Sequence, residues 1–398
     1  MTDLEGRLEV SLRCADGQVV DVAIVNRRQT QAGRMFVGRR PDEVAGMLPL
    51  LFSLCGHAQL VAGLEAMEQA AGLVPDPATV NARRLMVVAE TVLEQAQSVL
   101  RDWPVLLGEE PDMASARGLR AALGSLRGAL YPDRDWARLG GGRLAPDLDD
   151  LTRRLGEARR LIERAVFTGP AGYELGDLRN WADWVRTGAT AAARLVRHIE
   201  EHDLGGLGAG PVPLLPALDR TVLNTVLATD DGAFLARPVW NGIPHLAHPL
   251  GRRARHPLVA ALMLSHGTGV LPLLAARLAD LQAGLDEAEG LVEDCWGRGR
   301  PARVDAGGDG DGAAGETPAP PAQHIGLGLV DAARGLLVHR VELDGDTIAR
   351  YQILAPTEWT FHPDGALACG LRGRSANVDH ARLLVAALDP CVACTIEV

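Results

Sequence analysis

The chain has 398 residues, 47% hydrophobic and 23% charged, which is enough for one large or two ordinary globular domains. Its formal net charge of −11 excludes a broad nucleic-acid-binding face. No apolar run reaches the roughly 18 residues of a membrane span, and Met1-Thr2-Asp3-Leu4-Glu5-Gly6-Arg7 has no basic segment leading into an apolar one, so a cytoplasmic protein is expected.

Leu8, Val10 and Leu12 alternate with polar positions, Val19, Val20, Val22 and Ile24 follow, and Asp16-Gly17 supplies a turn; this predicts a β-hairpin. A helical region opens after Arg39-Arg40-Pro41-Asp42 and carries Leu48, Leu51, Leu54, Cys55, Ala58, Val61, Leu64 and Met67 at helical spacing, with Cys55 on the apolar face. Further helices are predicted over about 78–102, 112–130, 147–167, 177–202, 213–228 and 256–294. Residues 299–323, with Gly307-Gly308-Asp309-Gly310-Asp311-Gly312 and Pro318-Ala319-Pro320-Pro321, hold too little apolar surface to order themselves and read as a disordered low-complexity loop. Strands return at about 336–343 and 347–354 around Asp344-Gly345-Asp346, and a helix follows over about 376–388. The fold class expected is α+β, mainly α, as a single domain over 1–398.

Six cysteines in a chain of this length do not make a disulfide scaffold. Cys391 and Cys394 form a Cys-x-x-Cys pair whose two sulfurs can turn to one side of a tight loop. Alone, such a pair is equally a redox pair, a remnant or chance. No second Cys-x-x-Cys completes a four-ligand structural site, so a metal here needs a distant ligand or open positions. Cys55, in Leu54-Cys55-Gly56-His57, is the candidate, although a cysteine at such a position is ordinarily a small core hydrophobe. His57 is a weaker candidate of the same kind. Cys14, Cys295 and Cys369 have no ligand-like neighbours.

These motifs together resemble the large subunits of nickel–iron hydrogenases. Asp389-Pro390-Cys391-Val392-Ala393-Cys394 matches that family's late motif, Asp-Pro-Cys-x-x-Cys-x-x-His. Asp331-Ala332-Ala333-Arg334-Gly335-Leu336-Leu337-Val338-His339 resembles its arginine–glycine segment, and Tyr351-Gln352-Ile353-Leu354-Ala355-Pro356-Thr357-Glu358-Trp359 its Tyr-Gln…Pro-Thr-x-Trp stretch. Glu5-Gly6 falls where the family has Glu-Gly-His, with Arg7 in place of the histidine. The likeness covers about 1–75 and 325–398. It implies a hydrogenase large-subunit-like helical core with small β elements at either end.

The departures bear on function. Aligned on Cys55, the early family motif Arg-x-Cys-Gly-x-Cys becomes Leu50, Leu51, Phe52, Ser53, Leu54, Cys55, and the histidine after it becomes Gln59; the late histidine becomes Glu397. The resemblance implies that Cys55 and Cys394 hold the positions that bridge nickel and iron, that Cys391 holds a nickel-only position, and that the other nickel-only position is lost to Phe52. A stable nickel site is not expected; a place for iron is. This pattern resembles the HupK/HoxV group of hydrogenase accessory proteins. It implies a non-catalytic scaffold that holds the Fe(CN)2(CO) unit, received from a HypC/HypD-type complex, before transfer to the immature large subunit.

Two thiolates and two cyanides on iron(II) carry a formal charge of about −2, which is costly to bury without a cation. Arg334 offers a planar, permanently charged fork, and Thr357 beside Pro356 offers a hydroxyl donor. Glu5, His57 and Asp389 are candidates for supporting positions around the ligands; whether Glu5 is structural or electrostatic stays open. Two other readings remain. One is a divergent hydrogenase-type large subunit with redox activity, disfavoured by Phe52. The other is a metal-free relic like the related respiratory complex I subunit, disfavoured by the three retained cysteines.

Overall fold

The computed structural model describes residues 6–28, 31–169, 175–296 and 324–398. Glu5 and the 299–323 stretch lie outside the described residues. The hairpin is present as β1 (Arg7–Ala15) and β2 (Gln18–Asn26). Helices follow as α1 (Pro41–Leu51), α2 (Gly56–Ala71), α3 (Pro77–Leu106), α4 (Met113–Leu123), α5 (Leu126–Leu130), α6 (Leu148–Ile162), α7 (Leu178–Thr187), α8 (Ala191–Glu201), α9 (Arg220–Thr229), α10 (Ala233–Ala236), α11 (Pro249–Arg253), α12 (Pro257–His266) and α13 (Val270–Trp296). Then come β3 (Ile325–Ala332), β4 (Gly335–Asp344), β5 (Thr347–Leu354), α14 (Pro356–Thr360), α15 (Ala366–Leu371), α16 (Val378–Leu388) and β6 (Ala393–Glu397).

Several expected helices are divided, each for a local reason. The 177–202 span breaks where Thr190 caps α8 by accepting from the Ala193 N–H. The 256–294 span breaks at Gly267, whose φ of +59° ends α12. The 213–228 span becomes helical only at Arg220, after Asp219 caps it with two bonds. The first helical region also breaks, between Leu51 and Gly56, so Cys55 is the N-cap residue of α2 and not a residue on a helix face.

Two three-stranded sheets hold the motif-bearing ends of the chain in place. In one, β3, β4 and β5 form an antiparallel meander. In the other, the order is β2-β1-β6, with β6 parallel to β1. Strands from the two ends of the chain therefore share a sheet, as the motif match requires. The largest hydrophobic cluster joins β1 and β2 to α3, α6, α8, α13 and α16, with Trp103, Trp181 and Phe167 deeply buried. A second packs α1 and α2 on the β3–β5 sheet through Leu48, Leu60, Leu64, Val341 and Tyr351.

The packing of α2 on β3 is close because two glycines face the helix. A Cβ at Gly328 would stand 1.9 Å from the Ala62 carbonyl oxygen, and one at Gly326 1.9 Å from that of Ala66. Any side chain there must push α2 away from the sheet, and α2 carries Cys55 at its N-terminus. We predict that Gly328→Ala lowers unfolding stability by about 2–3 kcal/mol in urea titrations, the cost of overpacking a core. An unchanged midpoint would show that α2 and β3 are not held this tightly.

Candidate functional site

The site forms at one end of the β2-β1-β6 sheet. Leu8 pairs with Asn26 on one side and with Cys394 on the other. Arg28 lies two residues past Asn26 and Cys391 three residues before Cys394, so both run off the same end of the sheet. Gly6, at φ +72°, lets the chain pass close to Arg28: a Cβ there would lie 2.6 Å from the Arg28 Cα. An Arg28 N–H donates to Cys391 Sγ, and its Nε lies 3.0 Å from Glu358 Oε1. Glu358 is oriented in turn by the Ala355 N–H at the start of α14, at 3.0 Å. Pro356 is buried in the first turn of that helix, and Thr357 Oγ1 lies 3.0 Å from Cys391 Sγ.

Cys55 approaches from the α2 side. Burial pushes its thiol up to about 12; Cys391 and Glu90 add to the rise, and Arg28 and Gln59 oppose it. Gln59 Nε2 donates to Cys55 Sγ at 3.7 Å. With that amide nitrogen turned to sulfur, Gln59 Oε1 faces His339 Nε2 at 2.8 Å, which must carry the proton, and His339 Nδ1 accepts from the Tyr351 hydroxyl at 2.7 Å. All three supporting side chains are buried, and burial holds His339 down at about 3, hence neutral. A glutamine thus stands where the resembled family has histidine, backed by a histidine from β4.

Arg334, in the β3–β4 turn, reaches the same place from below. Its Nε lies 3.1 Å from the Asp389 carbonyl oxygen and 3.2 Å from Asp389 Oδ2, and its guanidinium 3.8 Å from Glu94. Burial works against its charge, but Asp389, Cys391, Glu94 and Cys55 outweigh it and hold the group above its ordinary range. Asp389, at φ +54°, ends α16 and also pairs at 3.2 Å with the buried Arg277 of α13.

The structure therefore groups Cys55, Cys391, Arg334, Thr357 and Pro356. Cys394 lies on β6 and packs with Val392 and Ile396 against the large cluster, its thiol pushed up to about 11 by burial. His57 has Nδ1 3.4 Å from Glu90, and its Nε2 is buried with no hydrogen-bond partner among the described residues. Among the described residues no three His, Cys, Asp or Glu side chains are gathered as a metal-holding group. Phe52, the last turn's cap on α1, packs against the second cluster beside Cys55, while Leu50 is 83% exposed. Sequence reasoning missed Arg28 altogether. Glu358, His339 and Tyr351 lie inside the segments that carry the resemblance but had no role assigned there, and Gln59 stood out only as a departure from the family motif.

Beside Cys55, a cavity of about 170 Å³ is lined by Ser53, Gly56, His57, Glu90, Arg120 and Arg127, among others. Glu90 accepts the His57 and Ala58 N–H groups at 2.7 and 2.9 Å, which caps the start of α2. Burial nonetheless pushes its carboxyl up to about 8, and Glu94 adds to the rise.

The comparisons with known proteins come in two layers. Residues 309–397 match the nickel-dependent hydrogenase family model. The nickel–iron–selenium hydrogenase of Desulfovibrio vulgaris Hildenborough superimposes with a TM-score of 0.65 over 96% of this chain and 95% of that one, at 16% identity. The fold is that of a nickel–iron hydrogenase large subunit, largely helical with small sheets. The hydrogenase expression/formation protein HoxV of Cupriavidus necator is 30% identical over 96% of this chain and 93% of its own length. HupK of Rhizobium leguminosarum bv. viciae is 28% identical over 99% and 96%. The chain belongs to this HupK/HoxV family of hydrogenase expression/formation proteins. Among the described residues no helix is long and apolar enough to cross a membrane.

Two outcomes test this geometry. Gln59→Leu removes the donor to Cys55 and leaves the His339 N–H buried and unpaired, so it should cost about 1–3 kcal/mol in denaturant unfolding. A neutral result would mean the chain of hydrogen bonds does not form. Glu90 is raised in the folded state, so the stability it contributes is fully present below its unfolded value near 4.5 and is lost as pH rises through about 8. Glu90→Gln should therefore gain on the wild type by roughly 2–4 kcal/mol between pH 5 and pH 9. A pH-independent difference between the two proteins would contradict it.

Proposed function

We propose that the protein is a non-catalytic scaffold that holds Fe(CN)2(CO) during maturation of a nickel–iron hydrogenase. The observations that carry this reading are that buried Arg28 donates to Cys391 Sγ, that buried Arg334 is held on Asp389 two residues before that cysteine, and that the charges of both arginines reach Cys391 and Cys55. An iron centre with two cyanides and two thiolates is an anion. It needs cations and donors at its edge, and the site offers two guanidinium forks and the Thr357 hydroxyl. Cys55 and Cys391 are the holding pair in this arrangement. Cys394, three residues on, is the thiol that a loaded or transferring state would recruit. This differs from the assignment implied by the family motif, in which Cys55 and Cys394 would share the iron.

Each thiol loses its proton when iron binds. For Cys55 that loss is opposed by burial, so capture is coupled to the arrival of a metal strong enough to displace the proton. Nothing in the site is asked to activate hydrogen, and Phe52 stands where the missing thiolate would be. The donor of the iron unit is a HypC/HypD-type complex and the acceptor the immature large subunit, which places the protein in the cytoplasm.

Infrared spectroscopy of protein co-expressed with the maturation machinery tests the reading. Cyanide and carbonyl stretching bands are expected in the wild type and should vanish in Cys55→Ser and Cys391→Ser. Arg334→Leu should reduce them several-fold, since it leaves the anion poorly compensated. Cys394→Ser should keep the bands but hinder handover. A wild type without bands would overturn the scaffold and favour a metal-free relic.

A further inference from the structure

Arg28 has no counterpart among the motif residues, yet it makes the closest approach to the thiol pair. Its side chain is only 10% exposed. Its guanidinium is shared between two neighbours: the Nε edge faces Glu358 and an Nη N–H faces Cys391 Sγ. Its charge is also felt at Cys55, on the other side of the site. The cation therefore stands on the sulfur side, with its carboxylate partner held behind it by the α14 N-terminus. Gly6 fixes the backbone from which it reaches.

We infer that Arg28 is the specificity residue of this site: it admits iron already neutralised by two cyanides and keeps bare divalent cations off Cys55 and Cys391. The inference rests on the reading of these two cysteines as metal-holding. Its physical basis is the difference in charge between a bare divalent ion and a neutral capped one. A hydrated nickel or zinc ion carries positive charge toward a fixed, buried guanidinium that already satisfies one of the sulfurs. To bind both thiols it must displace that hydrogen bond and accept a like charge at close range in a medium that screens poorly. An iron(II) centre bearing two cyanides and a carbonyl arrives neutral and becomes an anion of about −2 once both thiolates bind, which the guanidinium favours, and its cyanide nitrogens can take over the N–H that Cys391 gives up. Softness alone would not discriminate this way, because thiolate sites bind nickel more tightly than iron(II). Phe52 removes a ligand from the site; Arg28 opposes a bare cation at the two thiols that remain.

The test uses the full chain expressed without the iron-unit maturation proteins, kept reduced and anaerobic, and challenged with nickel chloride or zinc chloride alone. After gel filtration the wild type should retain well below one equivalent of either metal. Arg28→Met, similar in length and uncharged, should bind nickel at least tenfold more tightly, and Arg28→Lys should stay close to the wild type. Combining Arg28→Met with Cys55→Ser should abolish the gain, which assigns it to the thiol pair. Arg28→Gln serves if the methionine variant does not fold, since it can still hydrogen-bond Glu358. Folded, uncharged variants that bind no more nickel than the wild type would overturn the inference, as would a wild type that takes up a full equivalent. The readout is independent of the infrared bands: their absence from the wild type would defeat the cargo reading and leave the nickel comparison standing.

Discussion

The parallel pairing of β6 with β1 is the constraint on which the site depends. The Leu8–Cys394 register sets where Cys391 emerges, and the Leu8–Asn26 register sets where Arg28 emerges. A shift of one residue in either would turn every side chain of that strand to the opposite face. The buried faces resist this: Leu8, Val10 and Leu12 on β1 and Val19, Val22 and Ile24 on β2 all sit in the large core. The same core receives Val392, Cys394 and Ile396 from β6 and its approach. Hydrophobic alternation thus fixes the place of a polar site that contains almost none of the alternating residues.

Around that sheet end, charge is balanced in pairs. Arg28 has Glu358, and Arg334 has Asp389, which Arg277 also holds. Such buried pairs add little net stability, because desolvation offsets their attraction, but each leaves its arginine fixed in direction. What results is a sheet end at which the Arg28 guanidinium meets Cys391 with one edge and Glu358 with the other. It belongs to a chain of the hydrogenase expression/formation family that has the hydrogenase large-subunit fold.

The parts of the fold written in local pattern were legible in the sequence. The hairpin, the β4–β5 turn and the long helices come from periodicity and turn residues that act within a few positions. The end motifs, including Arg334 and Thr357, were legible through resemblance, and both lie at the thiol pair. Cys55 was misplaced because apolar spacing at Leu48, Leu51, Leu54 and Ala58 runs unbroken across a non-helical step. β3 was missed because Gly326 and Gly328 weaken its strand pattern; only the backbone of α2 across from them explains why glycine is needed there. Arg28 could not have been found, since an arginine after a strand carries no mark of the cysteine it will meet.

Arg28 and Cys391 are 363 positions apart in the chain, and yet they touch. Contacts of such separation close nearly the whole chain into a loop, at a cost that only the finished fold offsets. Cys55 is synthesised long before Cys391, so a growing chain has the first thiol and neither the second nor its hydrogen bond to Arg28. The Arg28–Cys391 contact is in this way a mark of completed folding, set by the topology of the β2-β1-β6 sheet.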